Sequence, residues 1–253
     1  MKIGIMQPYF FPYIGYWQLL NQVDQYVIYD DVNFIKGGWI NRNRILNHGK
    51  IQFYNLMMQG ASSNKLINEI GIETDTRIIA KNLRMIENCY SKAPYYNQTY
   101  ELIRDILTDP DKNLAKFLEC SIKKISEHIG INTKLIISSQ IEKDNSLRGQ
   151  EKVLEICRKL GASEYYNAIG GRELYDFESF SRQGIRLKFL HTKDIEYRQF
   201  EEKFVPNLSI IDVLMFNPLN RVRDFLDEFE LIQENESMRS DHMCKDSIKG
   251  DNI

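Results

Sequence analysis

Cysteine is scarce in this chain, and so are the patterns that would give it a chemical role. Four cysteines stand at positions 89, 120, 157 and 244 of 253 residues, and no two form a CxxC pair. That spacing predicts free thiols in a reducing compartment, with Cys89, Cys120 and Cys157 as small core residues. The histidines, His48, His128, His191 and His242, are scattered. With no HxH, HExxH or clustered Cys/His, a metal site is not expected. Neither GxGxxG nor GxxxxGK[ST] occurs, so the dinucleotide fingerprint and the P-loop are both excluded. GxSxG is missing too, which removes the strand-to-helix serine nucleophile. No window approaches the roughly 18 apolar residues of a membrane-spanning helix. The opening MKIGIMQPYF has one lysine and a short apolar run, without the core of a secretion signal. The expectation is a cytoplasmic protein with no membrane insertion. Charge of neither sign dominates: 33 Lys and Arg face 35 Asp and Glu, for a net −2. Nucleic acid is therefore not an expected partner.

What remains is an ordinary globular balance, 43% hydrophobic and 27% charged, with enough apolar material for a core. Lys2–Met6 reads as a short buried strand closed by Gln7-Pro8. Gly15–Val23 carries Tyr16, Leu19, Leu20 and Val23 at helical spacing, and Tyr26–Tyr29 reads as a second strand ending in Asp30-Asp31. Strand, helix and strand at these lengths make a βαβ unit with parallel strands. A strand at Ile51–Tyr54 follows, then helices over Arg77–Cys89, Tyr95–Leu107 and from Pro110, capped by Asp109, to about His128. Alternation resumes with strands at Leu135–Ile137, Glu164–Ala168 and Ile185–Leu190. Helices fall at Gly149–Leu160 and Phe177–Gln183, and Ser209–Phe216 and Leu219–Phe229 are two more, broken by Asn217-Pro218. The predicted fold is α/β, with a mainly parallel open sheet. It forms a single domain over residues 1–235 with a helical insertion at about 76–130. Residues 236–253, charged and poor in large apolar side chains, read as a flexible tail.

Open parallel sheets bind ligands at the carboxyl ends of their strands. That rule draws attention to the loops after the first two strands. The first runs from Gln7 to Tyr16. Its two prolines stiffen it, and Gly15, lacking a Cβ, would let a ligand approach a helix N-terminus suited to an anion. The competing reading is plain aromatic packing, and the two weigh equally. The second loop carries Asp30 and Asp31, of which one can face a ligand while its neighbour turns away. A carboxylate there would serve as a general base. Asn33, Lys36, Trp39, Asn41, Arg42, Asn43 and Arg44 follow closely. This mix of cations, amide donors and one indole suits phosphate, carboxylate and a stacked ring. His48 lies beside it. Farther on, Tyr197 and Gln199 precede Ser209–Asp212, which is a helix-capping sequence first and an anion site second. Gly170-Gly171 reads as a turn.

The run Gln7-Pro8-x-Phe10-x-Pro12-Tyr13-x-Gly15-Tyr16 resembles the WbqC-like proteins. So do Tyr29-Asp30-Asp31-Val32, Lys36-x-x-Trp39-x-Asn41-Arg42-Asn43, Ala93-Pro94-Tyr95-Tyr96, and Tyr197-x-Gln199 with Leu208–Leu214. The resemblance extends from residue 3 to about 218 and departs at Asn167–Gly170. It implies a role in making or decorating an unusual sugar of O-antigen or another surface polysaccharide. A weaker likeness, in Tyr13-Ile14-Gly15-Tyr16, is to the HxGH region of nucleotidylyltransferases and pantothenate-synthetase-like ligases, with tyrosines in place of both histidines; it implies a nucleotidyltransferase-like, Rossmannoid form of the open sheet.

Together these imply a transferase forming an amide on the amino group of a nucleotide-linked amino sugar, with ATP or an activated acyl donor as co-substrate. Asp30, Asp31 and Lys36 are the catalytic candidates. Gln7, Tyr13, Gly15, Tyr16, Asn33, Trp39, Asn41, Arg42, Asn43, Tyr197, Gln199, Ser209 and Asp212 are the substrate-binding ones. Nucleotidyl transfer to a small acceptor, and a non-catalytic assembly role in the same pathway, are the alternatives. A homodimer is left open.

Overall fold

The computed structural model describes residues 1–200 and 203–233. The tail expected at 236–253 lies outside the described residues. The central sheet has six strands: β1 (Lys2–Met6), β2 (Gln25–Ile28), β7 (Lys134–Ile137), β8 (Glu164–Ala168), β9 (Arg186–Thr192) and β10 (Phe229–Ile232). Their order across the sheet is β10-β9-β8-β1-β2-β7, and every pairing is parallel except β10 against β9. The protein is therefore α/β with a mostly parallel mixed sheet.

The chain builds this order outward from β1. It first moves one way, through α1 (Ile14–Asn21) to β2 and on to β7. It then returns past β1 through α5 (Gly149–Lys159) to β8 and through α6 (Phe177–Arg182) to β9. Right-handed crossovers made in opposite directions place their helices on opposite faces. The two apolar clusters follow: one holds α1, and the other holds Val153, Leu154, Ile156 and Cys157 of α5 with Phe180 of α6. All of Ile14–Leu20 is buried, so α1 is an internal helix. Gly4 leaves room for Tyr26, whose ring would lie 3.2 Å from an added Cβ. The direction of winding reverses between β1 and β8, and a crevice opens at such a switch point.

The segment between β2 and β7 is not purely helical. It begins with the hairpin β3 (Arg42–Asn47) and β4 (Lys50–Asn55), joined at His48-Gly49, where both residues have positive φ. That is the mirror-image turn that fits strand twist, and it gives His48 a backbone role. The strands β5 (Met58–Gln59) and β6 (Gly71–Ile72) follow, then α2 (Thr76–Tyr90), α3 (Tyr96–Leu107) and α4 (Leu114–Ile129).

The helix expected from Pro110 starts four residues later. Asp109 and Asp111 accept hydrogen bonds from the amides of Asp111 and Asn113, and Asn113 caps α4 by accepting from Lys116 N. Successive side-chain turns of this kind outcompete the helix there. Cys89 and Cys157 are buried, whereas Cys120 is only partly so and donates to Asp109 at 3.0 Å. The last pair of helices is α7 (Ile210–Phe216) and α8 (Leu219–Phe225); the expected second helix stops at Phe225 instead of Phe229, and Phe229 opens β10.

Candidate functional site

Three cavities lie around the carboxyl edge of the sheet. The first, about 590 Å³, is lined from the ends of three strands: Gln7 after β1, Tyr29 and Asp31 after β2, and Ser139 after β7. Arg148 and Lys152 close it at the start of α5. Parallel pairing of β1, β2 and β7 in register is what brings these strand ends to one edge.

The two aspartates have separate jobs. Asp30 is 3% exposed and is filled by protein donors: Ser139 N and Ser139 Oγ at 2.9 and 2.6 Å, and Asn68 Nδ2 at 3.2 Å. It ties the end of β2 to the end of β7. Asp31 borders the cavity and meets two lysines, with Oδ2 at 2.8 Å from Lys143 Nζ and 3.0 Å from Lys152 Nζ. The three side chains are 8%, 1% and 4% exposed. Burial pushes the Asp31 carboxyl up, but the contacts with Lys143, Ser138 and Lys152 outweigh it and hold the group below the usual carboxylate range. Lys152 also donates to the Asp31 carbonyl at 2.8 Å and stands 5.4 Å over the Tyr29 ring. Two buried ammoniums against one carboxylate leave an excess of positive charge, and burial makes that charge costly unless an anion meets it. Arg148 precedes α5, where no side chain caps the first amides. Its guanidinium donates to the loop carbonyls of Asn145 and Leu147, and among the described residues it pairs with no carboxylate. The arrangement suits a phosphate or diphosphate.

A second cavity, about 580 Å³, lies on the other side of β1. It is bounded by Tyr13 and Ile14 at the start of α1, Ile169 after β8, Thr192 at the end of β9, and residues 193–197 after it. A third, about 250 Å³, is walled by Tyr9, Pro12, Tyr13, Trp39 and Arg44.

The residues singled out by sequence are thus divided. Gln7, Asp31 and Asn33 line the first cavity, Tyr13 and Tyr197 the second, and Tyr13, Trp39 and Asn43 the third. Asn43 is buried and donates to the Phe10 carbonyl at 3.1 Å, clamping the first loop to the hairpin. Lys36 is exposed and lines none of these three. Arg42 donates to the carbonyls of Gly37 and Gly38 and lies 4.7 Å over the Phe53 ring, while Asn41 donates to Leu56 O. Both serve the hairpin. The gap left by Gly15 is not open to a ligand, because an added Cβ would stand 2.5 Å from both the Tyr13 ring and Thr192 Oγ1. Tyr16 is sealed in the core, with its hydroxyl directed to Gln7 O. Of the two tyrosines in the HxGH-like segment, Tyr13 lines two of these three cavities and Tyr16 none of them.

Asp212 is fully buried and accepts from Tyr197, Gln199 and Tyr90 at 2.6, 2.8 and 2.9 Å. Burial pushes its carboxyl up to about 6, even with those three donors holding it down. Ser209 caps α7 and donates to Phe11 O at 2.7 Å. This cluster joins α7 to the first loop and the hairpin from behind. Lys143, Arg148 and Lys152 were missed by sequence reading because they stand over a hundred positions beyond Asp31. The polar run Lys143–Gly149, which follows the strand at Lys134–Ile137, was the available signal.

A family model for WbqC-like proteins matches residues 7–224. The chain belongs to the WbqC-like family. The matched span takes in all three cavities of this WbqC-like protein and the buried Asp212 cluster. The chain is also similar to the uncharacterized protein Rv1507c of Mycobacterium tuberculosis (strain ATCC 25618 / H37Rv). The two are 28% identical over 229 residues, covering 89% of this chain and 97% of that protein. No solved structure matches the WbqC-like chain. Among the described residues, no helix is long and apolar enough to cross a membrane, and no three His, Cys, Asp or Glu side chains gather as metal ligands.

Proposed function

We propose that this protein binds a nucleotide-linked amino sugar along the carboxyl edge of its sheet and forms an amide on the sugar's amino group. The observation that carries this reading is the excess of buried positive charge at Lys143, Asp31 and Lys152, set beside Arg148 and the start of α5. The cavities on either side of β1 suit an elongated ligand whose diphosphate is held at one end. The same lysines disfavour a protonated amine nearby, so the amine enters in its neutral, nucleophilic form. Its nitrogen attacks the acyl carbon of an activated donor. The C–N bond forms, the bond to the leaving group breaks, and the amine proton departs with that group or to water. Asp31, held ionised by its contacts, orients the amine, while the Asp30 carboxylate is occupied by protein donors. The nucleotidyltransferase-like reading of the fold draws on the same phosphate-sized charge and on Tyr13 at the start of α1.

The test is incubation of the protein with UDP-, GDP- and dTDP-linked amino sugars, with and without ATP and acyl donors, followed by mass spectrometry. A product heavier by one acyl group is expected. Accumulation of a nucleotidyl product with pyrophosphate release favours the second reading. No binding of any of these sugars sinks both.

A further inference from the structure

The smallest of the three cavities has no part in that reading, yet its walls combine stacked rings with a single cation. Tyr9, Pro12, Tyr13 and Trp39 give it apolar, ring-sized surfaces, and Arg44 is its cation. The Arg44 guanidinium lies 5.2 Å from the Trp39 ring, donates from Nη2 to the Asn207 carbonyl at 2.8 Å, and has a buried Nε with no acceptor. Arg104, Arg158, Arg182 and Arg186 each pair with a carboxylate; among the described residues Arg44 pairs with none. A guanidinium in an apolar pocket pays a desolvation cost that an anion offsets, and its fork matches a carboxylate. The volume, about 250 Å³, holds one ring rather than a nucleotide. Tyr13 and Asn207 line this pocket and the 580 Å³ cavity alike, so an occupant lies one side chain from the sheet edge.

We infer that this pocket is a binding site for a six-membered ring bearing a carboxylate, its face against Trp39 and Tyr13 and its anion on Arg44. Naming that molecule the second substrate rests on the proposed function; its binding does not. Two sources share the chemistry, an aromatic acid and a uronic-acid sugar.

The protein has two tryptophans, and Trp17 is fully buried while Trp39 is 38% exposed, so ligand quenching of indole fluorescence reports Trp39. The probes are benzoate against benzamide, and glucuronate against glucose. We expect saturable quenching by at least one acid, about tenfold tighter than its neutral partner. Arg44→Gln abolishes that preference, and Arg148→Ala leaves it intact. The acid that saturates identifies the source. If neither acid saturates, or acid and neutral ring bind alike, the inference is overturned on the unaltered protein, without reliance on any variant's folding. A preference that survives Arg44→Gln overturns it as well. Trp39→Phe should lose the optical signal while ligand-induced thermal stabilisation persists; loss of neither overturns the assignment to this pocket. Failure of nucleotide-sugar binding alongside a positive acid result discards the proposed function and leaves this site standing.

Discussion

Lys152 holds Asp31 twice, through a hydrogen bond to its carbonyl at 2.8 Å and an ion pair with its carboxylate at 3.0 Å. The residues are 121 positions apart, so the contact pins the start of α5 to the end of β2. With Lys143 completing the cluster, structure and charge at the carboxyl edge become one feature.

Replacing Asp31 by Asn should therefore be costly, because it strands two buried ammoniums. Loss of about 3–5 kcal/mol is expected from urea unfolding near neutral pH. The folded-state carboxyl is held below its ordinary value, so its stabilisation is present above the unfolded pKa and is lost as pH falls through the folded one. The gap between the original protein and the variant should shrink below about pH 4. A gap that is constant with pH would show that Asp31 is not the ionised partner.

Arg148→Ala should leave stability within about 0.5 kcal/mol, since its side chain is exposed and bonds neighbouring loop carbonyls. Affinity for nucleoside diphosphates, measured by calorimetry, should fall about tenfold, with a weaker dependence on salt. Unchanged affinity would move the phosphate site elsewhere.

Gly15→Ala should destabilise the fold by about 1–3 kcal/mol, because the methyl group meets the Tyr13 ring and Thr192 Oγ1 at 2.5 Å. Thermal unfolding measures it. An unaltered midpoint would mean that Tyr13 moves freely, and both cavities it walls would change shape.

Asp212 titrates in the opposite sense to Asp31. Its folded pKa is raised to about 6, so the folded state holds its proton more tightly than the unfolded chain. Its contribution to stability falls as pH rises from about 4 to about 6 and is level above, a change of roughly 3 kcal/mol. Asp212→Asn should remove that slope, read as the difference between urea midpoints of the two proteins across the window. Parallel curves would refute the assignment.

Local pattern carried much of the fold. The alternation of strand and helix, the tight β1–α1–β2 unit and the long amphipathic helices were legible because each depends on residues within one or two turns of each other. The hairpin at Arg42–Asn55 and the edge strand Phe229–Ile232 were harder. Arg42, Asn43 and Arg44 read as ligand-facing donors, yet cross-strand pairing with Asn55, Tyr54 and Phe53 sets their positions.

The same boundary runs through the candidate site. Sequence alone determined the absence of the familiar phosphate and nucleophile motifs and the clustering of polar and aromatic groups between Gln7 and Arg44. Tertiary structure decided which of those groups reach a cavity. It turned Asp30 and Asp212 inward to protein donors, closed the gap at Gly15 with Tyr13, and brought Lys143 and Lys152 to Asp31. The physical reason is that periodicity reports which face of an element is apolar, whereas a charged cluster is assembled by strand order and crossover direction, which join positions more than a hundred residues apart.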